Sequence, residues 1–285
     1  MDNDDNDNNN NINDNQPPPP PPWIIGPDPR GRAIKDWRNP AHLYPTPESQ
    51  GDCGCCWSFA CVSAMEILWA RQEGRVDMFS KQDVIDCCSW NNGCLGGILS
   101  NGLLWLKTYG TSLAEDYPFT GVTGRCIDKP AYVKIESYQT LNVGTAWAQD
   151  FVMEHALETS PLSAGYPQNP IRLRFYVRGV WTPERYEFVE PTGHAVVIVG
   201  HFRDAWIIRN SWGADWGMEG HFLLKKRTMG IGYDVHKING PLTQVFHSQP
   251  PSGSSSSSSS DNGGDNEYVQ EVDDKSRGVT QLYYR

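Results

Sequence analysis

The chain has 285 residues, 11% of them aromatic and 11 of them Trp, which is enough apolar material for one or two compact units. Its formal net charge of −10 excludes a nucleic-acid surface, which needs clustered Lys and Arg. Residues 1–22 carry −5 and residues 246–285 carry −3, so the interior is close to neutral and its charge names no partner.

Residues 1–30 run from Asn and Asp into Pro17–Pro22. Such a segment buries too little apolar surface to offset chain entropy, and its proline run favours extended polyproline II, read as a spacer. It lacks the basic start and apolar run of a secretory signal. Nowhere do roughly 18 to 20 apolar residues run together as a membrane span requires. The segment Gln50-Gly51-Asp52-Cys53-Gly54-Cys55-Cys56-Trp57 precedes an amphipathic helix over Cys56–Gln72, where Phe59, Val62, Met65, Glu66 and Trp69 recur at three-and-four spacing. Ser80-Lys81-Gln82-Asp83 reads as a helix-opening cap before Val84 and Ile85, and a third helix near Ile98–Tyr109 stops at Gly110. Beyond about residue 130 the texture becomes strand-like, at Ala131–Tyr138, Pro161–Gly165, His194–Gly200, Trp206–Arg209 and Gly220–Lys225. One helix near Trp147–Leu157 interrupts it. The Ser254–Ser260 run in acidic surroundings matches the N-terminal end in character. The expected plan is a disordered tail (1–30), a folded unit (31–245) and a second disordered tail (246–285). Within the unit a helical lobe (31–130) precedes a sheet lobe (131–245), an α+β class with a cleft between the lobes.

Cys56 opens the first helix, where the positive end of the dipole favours thiolate over thiol, and a nearby imidazolium would hold that thiolate further. Here a resemblance enters. Cys53-Gly54-Cys55-Cys56-Trp57 resembles the Cys-Gly-[Ser/Ala]-Cys-[Trp/Tyr] signature of papain-like cysteine proteases, with Cys55 where Ser or Ala is usual. That family places its catalytic His and Asn roughly 130–150 residues downstream. Gly193-His194-Ala195-Val196-Val197 puts a histidine 138 residues after Cys56. Arg209-Asn210-Ser211-Trp212-Gly213, followed by Asp215-Trp216-Gly217, is similar to the family's Asn-Ser-Trp-Gly-x-x-Trp-Gly segment. The chain is thus identified as similar to plant-type members of the papain-like cysteine protease family, of the cathepsin L and papain kind, over about residues 33–240.

The resemblance implies a papain-like fold, with an N-terminal helical lobe and a C-terminal antiparallel β-barrel-like lobe. It implies a cysteine endopeptidase in which Cys56 attacks, His194 carries protons, Asn210 orients the imidazole and Trp212 shields that bond. Gln50 would donate to the oxyanion. Ile98 and Leu99 would line the main specificity pocket, with Gly165 and Ala195 nearby, and Gly96, Gly97 and Trp212 would also bind substrate, favouring an apolar residue two positions before the cut. The bottom of that pocket belongs to the segment around Gly232–Ile238, with no residue singled out. Bridges Cys53–Cys94 and Cys87–Cys126 are implied, with Cys88 a competitor for Cys126 and Cys61 a buried inert thiol. Expected partners are peptide or protein substrates and protein inhibitors, for a monomer needing no cofactor, touching neither nucleic acid nor membrane. The family's location is the lysosome, the vacuole or the extracellular space, although neither its signal nor its helical pro-segment is visible in residues 1–30.

Two other readings use the same residues. The cysteines could bind zinc, yet their spacing fits no common pattern of paired Cys-x2–4-Cys units. A papain-like relic without activity could bind peptides or regulate a partner. His194 taken singly would be an ordinary strand histidine, and its order with Cys56 and Asn210 is what lifts it above that. His42, His155, His201, His221 and His236 have no such context and read as surface or packing residues.

Overall fold

The computed structural model describes residues 32–141, 146–167, 169–183, 189–190, 193–245 and 284. The expectations for the 1–30 tail lie outside these residues. So do those for 246–285, except at Tyr284, which is fully buried rather than solvated.

Helix α1 (Cys56–Glu73) is the axis of the fold. A single apolar stripe is the sequence expectation, but α1 is buried almost all round. It is packed between the other helices and a sheet, so that even Ser58, Ser63 and Glu66 have little contact with water. It ends at Gly74, whose φ of 68° closes the last turn as a left-handed cap. Helix α2 (Lys81–Cys87) begins at the expected cap, with the Ser80 hydroxyl accepting from the Asp83 amide. Helix α3 (Leu99–Thr108) follows, and α4 (Ala146–Leu157) lies within the strand-rich half.

The strands are β1 (Lys35–Asp36), β2 (Val133–Thr140), β3 (Leu162–Tyr166), β4 (Asn169–Pro170), β5 (Val180–Trp181), β6 (Val189–Glu190), β7 (His194–His201), β8 (Ala205–Arg209), β9 (His221–Lys225) and β10 (Asp234–Gln244). The main sheet runs β2-β10-β3-β7-β8-β9-β5, with β1 also paired to β7, and all its pairings are antiparallel except β5 with β9. β4 and β6 form a separate pair.

β7 is buried on both faces, so it reads as an unbroken apolar run rather than an alternation. Ala195, Val197 and Val199 face the first core, which contains α1 and α3. Val196 and Ile198 face a second core with Trp206, Ile208, Phe222 and Met153. The sheet is therefore shared by two cores, and the Ser163 hydroxyl donates to the Ala60 carbonyl to pin β3 on α1. The helical and sheet parts are crossed by β1, which comes from the N-terminal side and joins β7. β10, the longest strand, has no counterpart among the expected elements. Its Gly240-Pro241 pair reads as a turn, whereas the structure absorbs it in a register shift between Asn239 and Leu242.

Two disulfides close the helical part, Cys53–Cys94 and Cys87–Cys126, the pairs that the resemblance implies. Cysteines a zinc cluster would need are thereby consumed. Cys55, Cys56, Cys61 and Cys88 are free and buried.

Candidate active site

Gln50 precedes α1 in a loop held to the sheet. Its amide donates to the Ser211 carbonyl at 2.9 Å, and the Ser211 hydroxyl donates to its Oε1. The side-chain Nε2 donates to the Cys53 carbonyl at 2.7 Å. A primary amide carries two N–H groups, and this leaves one for another acceptor.

Cys56 is the first residue of α1, so its backbone N–H has no intrahelical partner. Its thiol is wholly buried and lies within hydrogen-bonding reach of the Ala195 backbone, which places it beside the start of β7. Burial pushes this thiol up to about 12, while the backbone groups of Ala195 and Trp57 pull it down. Burial thus opposes the thiolate form that the start of a helix favours.

His194, at the start of β7, is buried, and its Nε2 lies 2.8 Å from Asn210 Oδ1. The acceptor is a carbonyl oxygen, so Nε2 carries the hydrogen and Nδ1 is the basic nitrogen of the neutral ring. Asn210 Oδ1 also accepts from the Ser211 amide at 2.9 Å, while Asn210 Nδ2 is buried without a hydrogen-bond partner. The Trp212 ring lies over the imidazole, with centroids 5.2 Å apart and planes 32° apart, and Trp216 meets Trp212 edge-on at 4.8 Å. Gln50, Cys56, His194, Asn210 and Trp212 thus converge from three separate parts of the chain.

Of the expected pocket residues, Gly97 lies between Asn91 and Trp57, where a Cβ would come within 2.6 Å of Asn91. Gly165 pairs with Ala195 across β3 and β7. The Ile98 amide and carbonyl are both held by the Asn91 side chain. Leu99 is fully buried in the first core, and Gly96 accepts from the Asn92 amide. Sequence reasoning singled out none of four further participants, although it placed the pocket bottom in the segment that holds Asp234. Asn91 shapes the 96–98 segment, Ser211 sets the Gln50 amide, Asp234 begins β10 against Gly165, and Tyr284 pairs with Gly97. Ser211 stands inside the quoted Asn-Ser-Trp motif and was open to notice, while nothing local marks Tyr284.

The model for the papain family of cysteine proteases matches residues 33–238, most of the chain. The chain belongs to the papain family. It is 34% identical over 208 residues to the oryzain gamma chain of Oryza sativa subsp. japonica, covering 69% of this chain and 56% of that protein. It is 32% identical over 212 residues to cathepsin K of Gallus gallus, covering 71% of this chain and 62% of that protein. The chain thus spans little more than half the length of such papain-family relatives. Among solved structures, a Carica candamarcensis cysteine protease in complex with E-64 is 25% identical with a TM-score of 0.62, covering 72% of this chain and 97% of that one. The proform of the ragweed pollen cysteine protease Amb a 11 is 28% identical with a TM-score of 0.63, covering 73% of this chain and 66% of that one. The α+β two-lobe papain fold is therefore shared.

Proposed function

We propose that this papain-family domain is a cysteine endopeptidase working through Cys56, His194 and Asn210. The observation that carries the reading is the 2.8 Å bond from His194 Nε2 to Asn210 Oδ1, on a histidine whose neighbour Ala195 lies near enough to Cys56 for its backbone to favour the thiolate. That bond makes Nδ1 the basic nitrogen of the neutral ring.

Substrate binding brings a carbonyl to Cys56, and the thiol proton passes to His194 Nδ1. The sulfur attacks the carbonyl carbon, and the oxygen becomes an oxyanion facing the remaining Gln50 Nε2 hydrogen and the Cys56 backbone N–H. His194 gives its proton to the leaving amine as the C–N bond breaks, leaving a thioester on Cys56. Water attacks the thioester, its proton goes to His194, and the carboxylate product leaves with the thiol restored. Trp212 over the imidazole keeps water from the His194–Asn210 bond.

The specificity pocket is taken to hold an apolar residue two positions before the cut, formed by Gly97, Ile98, Gly165 and Ala195. Thiol-directed inhibitors such as E-64, bound by the Carica protease, are expected ligands. The two disulfides support an oxidising compartment, so lysosome, vacuole or the extracellular space is the proposed location. Among the described residues no helix is long and apolar enough to cross a membrane. The partition into tails at 1–30 and 246–285 around a 31–245 peptidase unit is proposed for the whole chain.

The test is hydrolysis of a fluorogenic peptide with an apolar residue two positions before the cut, by the full chain and by Cys56→Ser. Turnover lost in the variant and after an epoxysuccinyl inhibitor supports the proposal. A folded, bridged protein that neither turns over peptide nor reacts with the inhibitor overturns it.

A further inference from the structure

Tyr284 lies 39 residues beyond Val245, yet it is packed into the catalytic cleft with no exposed surface. Its backbone binds as a peptide strand does. The Gly97 amide donates to the Tyr284 carbonyl at 2.8 Å, and the Tyr284 amide donates to the Gly97 carbonyl at 2.7 Å. Gly193, next to His194, bridges it on the other side. This is strand addition, in which main-chain bonds give affinity and a side-chain pocket gives selectivity.

The side chain enters a slot made by absent Cβ atoms. A Cβ on Gly165 would lie 2.0 Å from the Tyr284 ring and hydroxyl, and one on Gly193 would lie 2.9 Å from the ring. At the end of the slot the phenol donates to Asp234 Oδ2 at 2.7 Å. The other oxygen, Oδ1, is bonded to His236 Nε2 at 2.7 Å, and His236 Nδ1 meets the Thr140 hydroxyl at 3.1 Å. Asp234 is therefore fixed in direction before any phenol arrives. An apolar pocket ending in a held carboxylate favours a ring with a hydroxyl at its tip, because a phenylalanine leaves that buried acceptor without its donor.

We propose that this slot is a tyrosine subsite, closed by Asp234, and that Tyr284 fills it in cis as a substrate-like occupant that peptides must displace. The proposal rests on the endopeptidase reading and deepens it, replacing a general apolar preference with tyrosine at the second position before the cut. A ligand carried on the same chain competes at an effective concentration that dilution does not change.

The experiment compares the full chain with Tyr284→Ala and Tyr284→Phe on two fluorogenic peptides, alike except for Tyr or Phe at the second position. Tyr284→Ala is expected to lower KM about fivefold or more, with the change falling on KM rather than kcat, and Tyr284→Phe to lie between. In the Tyr284→Ala chain the tyrosine peptide should lead in kcat/KM by about tenfold, from a hydrogen bond to a charged acceptor, and Asp234→Ala should erase that lead. An unchanged KM overturns the cis occupant, and a phenylalanine peptide cleaved as well as the tyrosine one overturns the tyrosine subsite. If no chain turns over either peptide, the endopeptidase reading fails, and fluorescence anisotropy of the labelled peptides with Cys56→Ser still decides the pocket. Tighter binding on adding Tyr284→Ala, with Tyr above Phe, supports the proposal; equal binding overturns it.

Discussion

The hydroxyl of Ser211 donates to Oε1 of Gln50, a residue 161 positions away, and together with the Nε2 bond to the Cys53 carbonyl fixes the orientation of the Gln50 amide. Without that donor the amide could rotate and offer an oxygen, rather than an N–H, to a developing oxyanion. Ser211→Ala is expected to lower kcat about tenfold, with Ser211→Thr retaining most activity. Gln50→Ala removes the donor itself and is expected to cost about 10²–10³ in kcat. Steady-state kinetics decide it, and a Ser211→Ala enzyme with unchanged kcat would sink the orienting role.

Asn210 uses only its acceptor end, since Oδ1 takes bonds from His194 and Ser211 while Nδ2 has none. A hydrogen bond to a group that becomes charged contributes about 1.5–3 kcal/mol. Asn210→Ala should therefore reduce kcat/KM about 10- to 100-fold while the protein stays folded. Initial rates with the fluorogenic peptide, beside a melting curve, separate the two effects.

Lys81 is buried between Glu48 and the fully buried Glu66, whose Oε1 also accepts from the Phe79 amide at 2.8 Å. Burial pushes the Glu66 carboxyl up against the pull of Lys81, and its Oε2 has no hydrogen-bond partner. Glu66→Ala leaves the buried Lys81 with only the more exposed Glu48 and the Phe79 amide without its acceptor, so it is expected to destabilise by ~3 kcal/mol. Glu48 is more exposed, and Glu48→Ala should cost no more than about 1 kcal/mol. Denaturant unfolding of both in a Cys56→Ser background checks the order.

His221 accepts from the Tyr44 hydroxyl at Nε2, 2.8 Å away, and donates from Nδ1 to the Glu219 carbonyl at 2.7 Å. Burial first, then the Arg38 and Arg209 guanidiniums, hold its pKa well below the usual 6.5. His201 is lowered as well, by burial and then Lys226. Above about pH 6.5 these histidines are neutral in folded and unfolded chains, so their contribution is fully present. As pH falls below about 6.5 the unfolded chain binds a proton that the folded His221 refuses, and stability declines by up to about 1.4 kcal/mol per unit for that group. His221→Gln should make this decline shallower by one proton between pH 6.5 and 5. Urea unfolding across that range measures the slope, and an equal slope would show that His221 is not the group.

Much of the proposed site was legible along the chain. Cys56 at a helix start, His194 opening an apolar strand and Asn210 before Ser-Trp-Gly are local patterns, and local patterns also placed α2 and most of β7 and β8. Helix α1 was located but its environment was not, because a stripe and an all-round burial differ only in what packs on the second face. β10 was missed since Gly240-Pro241 speaks locally for a turn, while pairing with β2 and β3 supplies the hydrogen bonds that keep it a strand.

The family and the order of the candidate catalytic residues thus follow from the chain alone, because they lie in short motifs at spacings the chain fixes. Folding in three dimensions set the rest: that Cys56 is fully buried, that Ser211 bonds the Gln50 amide, and that Asp234 closes a slot already holding Tyr284. Each of these depends on atoms from distant segments meeting within hydrogen-bond distance away from water, a condition that no window along the chain contains.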